Sequence, residues 1–363
     1  MLPVPRSWGE VTPSWVTAAL ARRCPGAVVG HVEFGSVESG TNDRARLRLS
    51  YAEGAGPGSV FVKAHGRVLH RLALAALGAL AAEARLADSG VALPLEHPEP
   101  YAAGVDWRRL ATVVVMDDVA AHGGRPNDAT TALDVAEVRS GLDGLARLHA
   151  AYWEGRMPES LGFLRPWRLG RGWAPVSWAS IGRGLRRLRD AGQAGLLPQG
   201  LDARGVERGF RCSALLAASG PQTVLHGDPH PGNTYALPGR RTGFYDWQLV
   251  RTGNWSHDVG YFVVSSLDAA DRRRDEKELL HGYLDALRRA GVEDAPDGDE
   301  AWTRYRATPV FGLGTWLHTL SAGTFQPLDV CLATLGRFAA AYEDLGTRRL
   351  LAAMPSCRGR EIR

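Results

Sequence analysis

Three side chains near the middle of this 363-residue chain carry the oxygens that phosphoryl transfer requires. Asp228 and Asn233 lie in HGDPHPGN (226–233), and Asp246 follows thirteen residues after Asn233 inside GFYDWQL. Asp228 can accept a proton from an attacking hydroxyl, while Asn233 and Asp246 offer hard oxygen ligands to magnesium held between nucleotide phosphates. Read without chemistry, the same residues are one Asn and two Asp capping turns beside prolines. His226 and His230, flanking Asp228 at alternate positions, suggest a third reading, the metal cluster of a hydrolase. That reading needs a second His/Asp group, and HTLSA around His318 supplies no matching pattern.

The chain holds only two lysines, Lys63 and Lys277, all its other basic side chains being arginine. Lys63 sits in the apolar run SVFVKA, where a compact ammonium can reach phosphate oxygens as a point charge. The plainer alternative is a strand-end lysine whose head reaches water.

Elements to position these groups follow from the pattern. Thr12 and Pro13 read as N-cap and first turn of a short helix through Ala21, expected as a surface adornment. Strand-like runs at 28–37, 44–51, 59–64, 100–103 and 110–116, with Gly-containing turns and one Ala/Leu-rich helix over 68–88, predict a small antiparallel sheet with one helix on it. Beyond 128 the apolar period lengthens to about three and a half, as in Val135, Val138, Leu142, Leu145 and His149. The region from Thr223 to Asp246 is the exception, three short strands whose loops carry the chemistry.

Composition narrows the class. Net charge is +4, with 15 basic and 16 acidic residues up to position 150 and 28 and 23 after it, so neither part has the basic field of a nucleic-acid binder. The four cysteines show no CxxC spacing, which predicts no disulfide framework and a reducing, cytoplasmic setting. No export signal or membrane span is expected: the most apolar helical stretch, 68–82, is interrupted by His70 and Arg71.

HGDxHxxN followed by D-[WF]-Q at a strand end, with a later Asp258 in HDVGYF, resembles the aminoglycoside phosphotransferase and choline kinase group, including its ecdysteroid-kinase-like branch. The resemblance covers roughly residues 28–350, and ARLHAAYW (146–153) resembles the segment preceding the group's catalytic loop. It implies an α+β, two-lobed protein-kinase-like fold: an N-terminal extension (1–27), a small antiparallel sheet lobe (28–118), and a larger, mainly helical lobe (119–363).

By the same resemblance, Asp228 is the catalytic base, Asn233 and Asp246 hold Mg2+, and ATP, with GTP as the alternative, is the phosphate donor. Glu83 is the natural carboxylate partner of Lys63. The turn Gly35–Thr41, with Ser39, Gly40 and Thr41 at its tip, covers the phosphates although it lacks GxGxxG. Met116, Asp117 and Asp118 lie at the inter-lobe hinge, where backbone meets the purine edge. His226 fixes the loop, His230 contacts phosphate or the catalytic aspartate, and Asp258 either anchors the loop or caps its own helix.

Trp153, Trp167, Trp173, Trp178, Trp302 and Trp316, with Tyr261 and Tyr305, could wall an acceptor cavity or simply fill the core. The positive balance of the helical part favours a neutral or weakly charged alcohol over a polycation. The expected activity is transfer of the terminal nucleotide phosphate to a hydroxyl of a small molecule. A catalytically silent nucleotide-binding module is the alternative.

Overall fold

The computed structural model describes residues 1–39, 42–66, 68–76, 78–166, 173–354 and 357. The chain divides into two compact units, one of Met1–Arg125, Pro158–Phe163 and Tyr245–Val250, the other of Pro126–Met157, Leu164–Phe244 and Arg251–Arg363.

In the first unit, helix α1 (Pro13–Leu20) starts as its sequence predicts, the Thr12 side chain accepting from Trp15 N. Strands β1 (Val28–Ser39), β2 (Asn42–Glu53), β3 (Ser59–His65), β4 (Pro100–Asp106) and β5 (Ala111–Asp117) form an antiparallel sheet in the order β1-β2-β3-β5-β4. The two-residue strand period decides what each face carries. Ala45, Leu47, Val60, Val62, Val113 and Val115 enter one core together with Leu2, Val4, Val16 and Leu20. Residues 1–20 are thus part of that core rather than a surface adornment: a sheet with one helix-covered face must bury the other against something.

The opposite face bears Phe61, Val114 and Met116 against Ala84 and Ala87 of a helix. The helix expected over 68–88 is two helices, α2 (Val68–Ala76) and α3 (Ala82–Asp88). Gly78, at φ +70°, takes the left-handed conformation that ends α2, and Ala79 N closes back on Leu74 O. Apolar periodicity ran through the break because Leu80 and Leu74 share one small cluster.

After β6 (Arg125–Pro126), the second unit begins with α4 (Val135–Ala151), whose capping box pairs Asp134 with Glu137. Helices α5 (Trp173–Asp190) and α6 (Ala203–Ala217) lead to β7 (Gln222–Leu225), then to the hairpin β8 (Thr234–Leu237) and β9 (Arg241–Phe244). β10 (Arg251–Asn254) returns antiparallel to β7. There follow α7 (Ser256–Ser266), α8 (Ala269–Arg289), α9 (Gly298–Ala307), α10 (Pro309–Ala322), α11 (Leu328–Asp344) and α12 (Thr347–Ala353). Every residue of α7 is buried, so its polar side chains must find partners inside the protein. Cys212 and Cys357 are joined by a disulfide, contrary to the absence of one expected from their spacing; 145 residues separate them, and such pairing is set by the fold. Among the described residues no helix is long and apolar enough to cross a membrane.

Candidate active site

Strand alternation places Lys63, like Phe61, on the face that α3 covers. There Lys63 Nζ lies 2.6 Å from Glu83 Oε2 and 2.5 Å from Asp246 Oδ1, with its side chain 7 % exposed. Arg44, directly across from Lys63 on β2, reaches Asp246 Oδ2 at 3.1 Å. The other oxygen of Glu83 accepts from Trp247 N at 3.0 Å, tying α3 to the turn that carries Asp246. Burial pushes the Glu83 carboxyl up and the neighbouring Asp246 adds to that, while the Lys63 charge pulls it down. Asp246 itself sits at φ +64°, a left-handed conformation that Asp tolerates better than most residues. Two cations therefore fix the Asp246 carboxylate in a strained turn.

Of the segment expected at the purine edge, Met116 is buried within the β3–β5 ladder, and Asp117 N donates to Glu99 O at 2.9 Å. The Asp117 carboxylate accepts from Tyr101 Oη at 2.5 Å. Asp118 accepts from Ser59 Oγ at 2.8 Å, forms an ion pair with Arg46 (Nε at 2.8 Å), and caps the turn that follows. Both side chains thus serve the sheet, and Asp118 is the first residue of the segment outside the ladder. Ser39 ends β1; Gly40 and Thr41 lie outside the described residues.

In the second unit, the loop between β7 and β8 carries Asp228, His230 and Asn233. Asp258, buried inside α7, accepts His226 N at 2.7 Å and Gly227 N at 3.0 Å. Its carboxylate thus anchors the loop rather than capping α7. Burial alone would raise its pKa, yet His149, 3.4 Å away, and the neighbouring His257 and His226 hold it below the usual carboxylate range.

Arg251 donates to Gly227 O at 2.8 Å and to His257 Nε2 at 3.0 Å. An arginine only donates, so the shorter Arg251 contact takes His257 Nε2 as acceptor in preference to donation by that atom to Gly227 O, 3.3 Å away. Burial and the Arg251 charge accordingly bring the His257 pKa down to about 4.

Asn233 Nδ2 donates to Asp228 O at 2.9 Å and to Asp228 Oδ2 at 3.2 Å, which turns its own Oδ1 away from that carboxylate. His230 Nδ1 accepts from Gly232 N, and its Nε2 lies 3.8 Å from Asp228 Oδ2. His226 Nδ1 faces Asp228 N at 3.3 Å. Both histidines direct Nδ1 at a backbone N–H, the opposite of a metal-ligating arrangement. The Asp228 side chain is 26 % exposed, against 5 % for that of His230.

The tryptophans do not form a single wall. Trp153 is fully buried with its indole bonded to Asp294, Trp178 is exposed beneath Arg204, and Trp302 stacks on Tyr305. Trp173 packs against His318, and Trp167 lies outside the described residues. Among the described residues of this set, Trp316 and Tyr261 adjoin the Asp228 loop, Trp316 through the His230 ring at 5.3 Å and Tyr261 beside Asp228. Sequence reasoning missed Arg44 and Arg251. Cross-strand alternation from Lys63 could have found Arg44; nothing in the local pattern separates Arg251 from the chain's many other arginines.

A sequence profile of a family described as "Phosphotransferase enzyme family" matches residues 38–307. Comparison with curated protein sequences gives no match. Among solved structures, a protein described as an aminoglycoside phosphotransferase from Ralstonia eutropha JMP134 is similar at TM-score 0.52 and 14 % identity, covering 92 % of this chain and 97 % of its own. A choline kinase from Cryptosporidium parvum Iowa II is similar at TM-score 0.50 and 10 % identity, covering 88 % and 91 %.

Proposed function

Since the chain belongs to the phosphotransferase enzyme family and has its protein-kinase-like fold, we propose that it moves the terminal phosphate of ATP to a hydroxyl of a small, neutral or weakly charged molecule. The observation that carries this reading is Asp228: an accessible carboxylate on a loop whose backbone is pinned by Asp258 and Arg251. In the proposed step, the acceptor oxygen bonds to the terminal phosphorus, the bond from phosphorus to the leaving diphosphate breaks, and the hydroxyl proton goes to Asp228.

The donor set fits magnesium. Asn233 presents Oδ1 away from Asp228, and Asp246 is a carboxylate in a turn, both hard oxygen donors. Asn233 and Asp246 would hold magnesium, which when bound would supply positive charge to the phosphate oxygens. Lys63, oriented by Glu83, brings a further point charge to them, and the backbone around Met116, Asp117 and Asp118 meets the base. His230 steadies Asp228 and adjoins the transferring group, and the Ser39–Gly40–Thr41 turn covers the phosphates. GTP is the alternative donor, and the setting is cytoplasmic.

One observation favours the silent nucleotide-binding module as a second reading: both oxygens of Asp246 already face cations. A nucleotide-consumption assay over a panel of alcohols, with mass spectrometry for an added phosphate, separates the two. The enzyme reading expects a phosphorylated acceptor with the wild-type chain, and none with Asp228→Asn although nucleotide still binds. Nucleotide binding without turnover on any acceptor leaves only the silent module. Neither binding nor turnover ends both readings.

A further inference from the structure

Two buried polar atoms beside Asp228 have no hydrogen-bond partner among the described residues: the Tyr261 hydroxyl and the Trp316 indole N–H. Their residues are 2 % and 3 % exposed, so bulk solvent does not reach them. A buried polar atom without a partner costs free energy, so each one calls for an explanation.

Their placement follows from the elements. Tyr261 stands one helical turn after Asp258 on α7, on the side that bonds the loop amides of His226 and Gly227. Its ring is held between Phe338, at 5.1 Å, and His257, at 6.1 Å. Trp316, from α10, is fixed against the edge of His230, whose Nε2 is 3.8 Å from the Asp228 carboxylate. Burial first, then the charge and hydrogen bonding of Asp228, push the Tyr261 hydroxyl well above the usual phenol range, with hydrogen bonding from the Trp316 indole pulling the other way, although neither contact has the geometry of a complete hydrogen bond. Tyr261 is therefore neutral and keeps its proton to donate, with an acceptor on one side and a donor on the other.

We propose that Trp316 and Tyr261 form a donor chain, indole N–H to phenol oxygen and phenol O–H to the Asp228 carboxylate, that engages when Asp228 takes up the acceptor hydroxyl. The inference rests on the reading of Asp228 as the base. Tyr261 is then a positioning residue: it holds one carboxylate oxygen so that the other stays aimed at the acceptor. Asn233 Nδ2, 3.2 Å from Oδ2, is the amide donor seen on that carboxylate among the described residues. The Trp316 N–H acts through Tyr261, and Trp316→Phe removes that N–H while keeping an aromatic ring against His230.

The experiment is a double-substitution cycle in the full chain, using the best acceptor from the alcohol panel with saturating Mg-ATP. Tyr261→Phe is expected to lower kcat about 10- to 100-fold while both KM values stay within about twofold, the mark of lost positioning rather than lost binding. Trp316→Phe should lower kcat less, and the double variant should match Tyr261→Phe alone, since the two act in one chain. In urea, Tyr261→Phe should unfold at the wild-type midpoint or above it, because the hydroxyl is unpartnered in the resting protein. An unchanged kcat in Tyr261→Phe, additive losses in the double variant, or a lower urea midpoint for Tyr261→Phe each overturns the proposal while leaving Asp228 as the base. A wild-type chain that phosphorylates nothing overturns the reading beneath it as well.

Discussion

Lys63 shows how much one side chain can hold together. Its ammonium faces two buried carboxylates, so removing it leaves Glu83 and Asp246 facing each other across a site with little water. We expect Lys63→Met to destabilise the protein by about 3 kcal/mol and to abolish turnover, the first measured by urea unfolding and the second by nucleotide consumption. The loss arises mainly from the stranded carboxylates, so adding Glu83→Gln should restore part of the stability and none of the activity. At this scale the sequence was legible where residue type is scarce: one lysine in an apolar strand, one Asp-to-Asn motif. It was not legible for Arg44 and Arg251, because arginine is abundant here and only contact distinguishes those two.

Elements decide whether such residues arrive at the right place. Helix α7 presents Asp258 to two loop amides, and an amide side chain in its place can accept with one oxygen only. Asp258→Asn should therefore lower turnover about 10- to 100-fold and stability by about 2 kcal/mol, with nucleotide affinity retained. A calorimetric titration beside the kinetic assay checks both parts.

The seat of α7 against α4 is equally tight. A Cβ on Gly141 would meet the Phe262 ring at 2.5 Å, so Gly141→Ala should cost about 1–3 kcal/mol in urea unfolding despite the better helix propensity of alanine. Neither effect could be read from the chain. The helical stripe over Val135 to His149 predicted α4, but periodicity says which face is apolar and not what stands opposite. The division of the 68–88 helix at Gly78 shows the complementary limit: apolar spacing continues across a turn when both sides feed one cluster.

For the molecule as a whole, buried histidines set the response to acid. His257 is held at about 4 rather than its usual 6.5, so on acidification the unfolded chain takes up the proton first. The sign follows: this contribution to stability is complete above about pH 6.5 and is lost as pH falls toward 4, up to about 3 kcal/mol. His318, also lowered to about 4 by burial and by Arg183, adds in the same direction. Glu83, with its carboxyl raised, opposes them above the ordinary glutamate range. Urea midpoints between pH 7 and pH 5 should fall, and His318→Phe should flatten that fall; a midpoint independent of pH over this range refutes the assignment.

What the chain determined unaided was the inventory and its order: a sheet, then helices, with HGDPHPGN and GFYDWQL on strand-end loops. Local rules suffice for that, since strand alternation, capping residues and turn formers act over a few positions. Tertiary structure decided which side chains meet. It brought Lys63, Glu83, Arg44 and Asp246 together across 202 residues of chain, tied Asp258 to His226 and Gly227, and drew residues 1–20 into the first core. Such partners are chosen by burial, because a charge or a backbone N–H taken from water must find a counterpart, and the nearest one in space can lie anywhere in sequence.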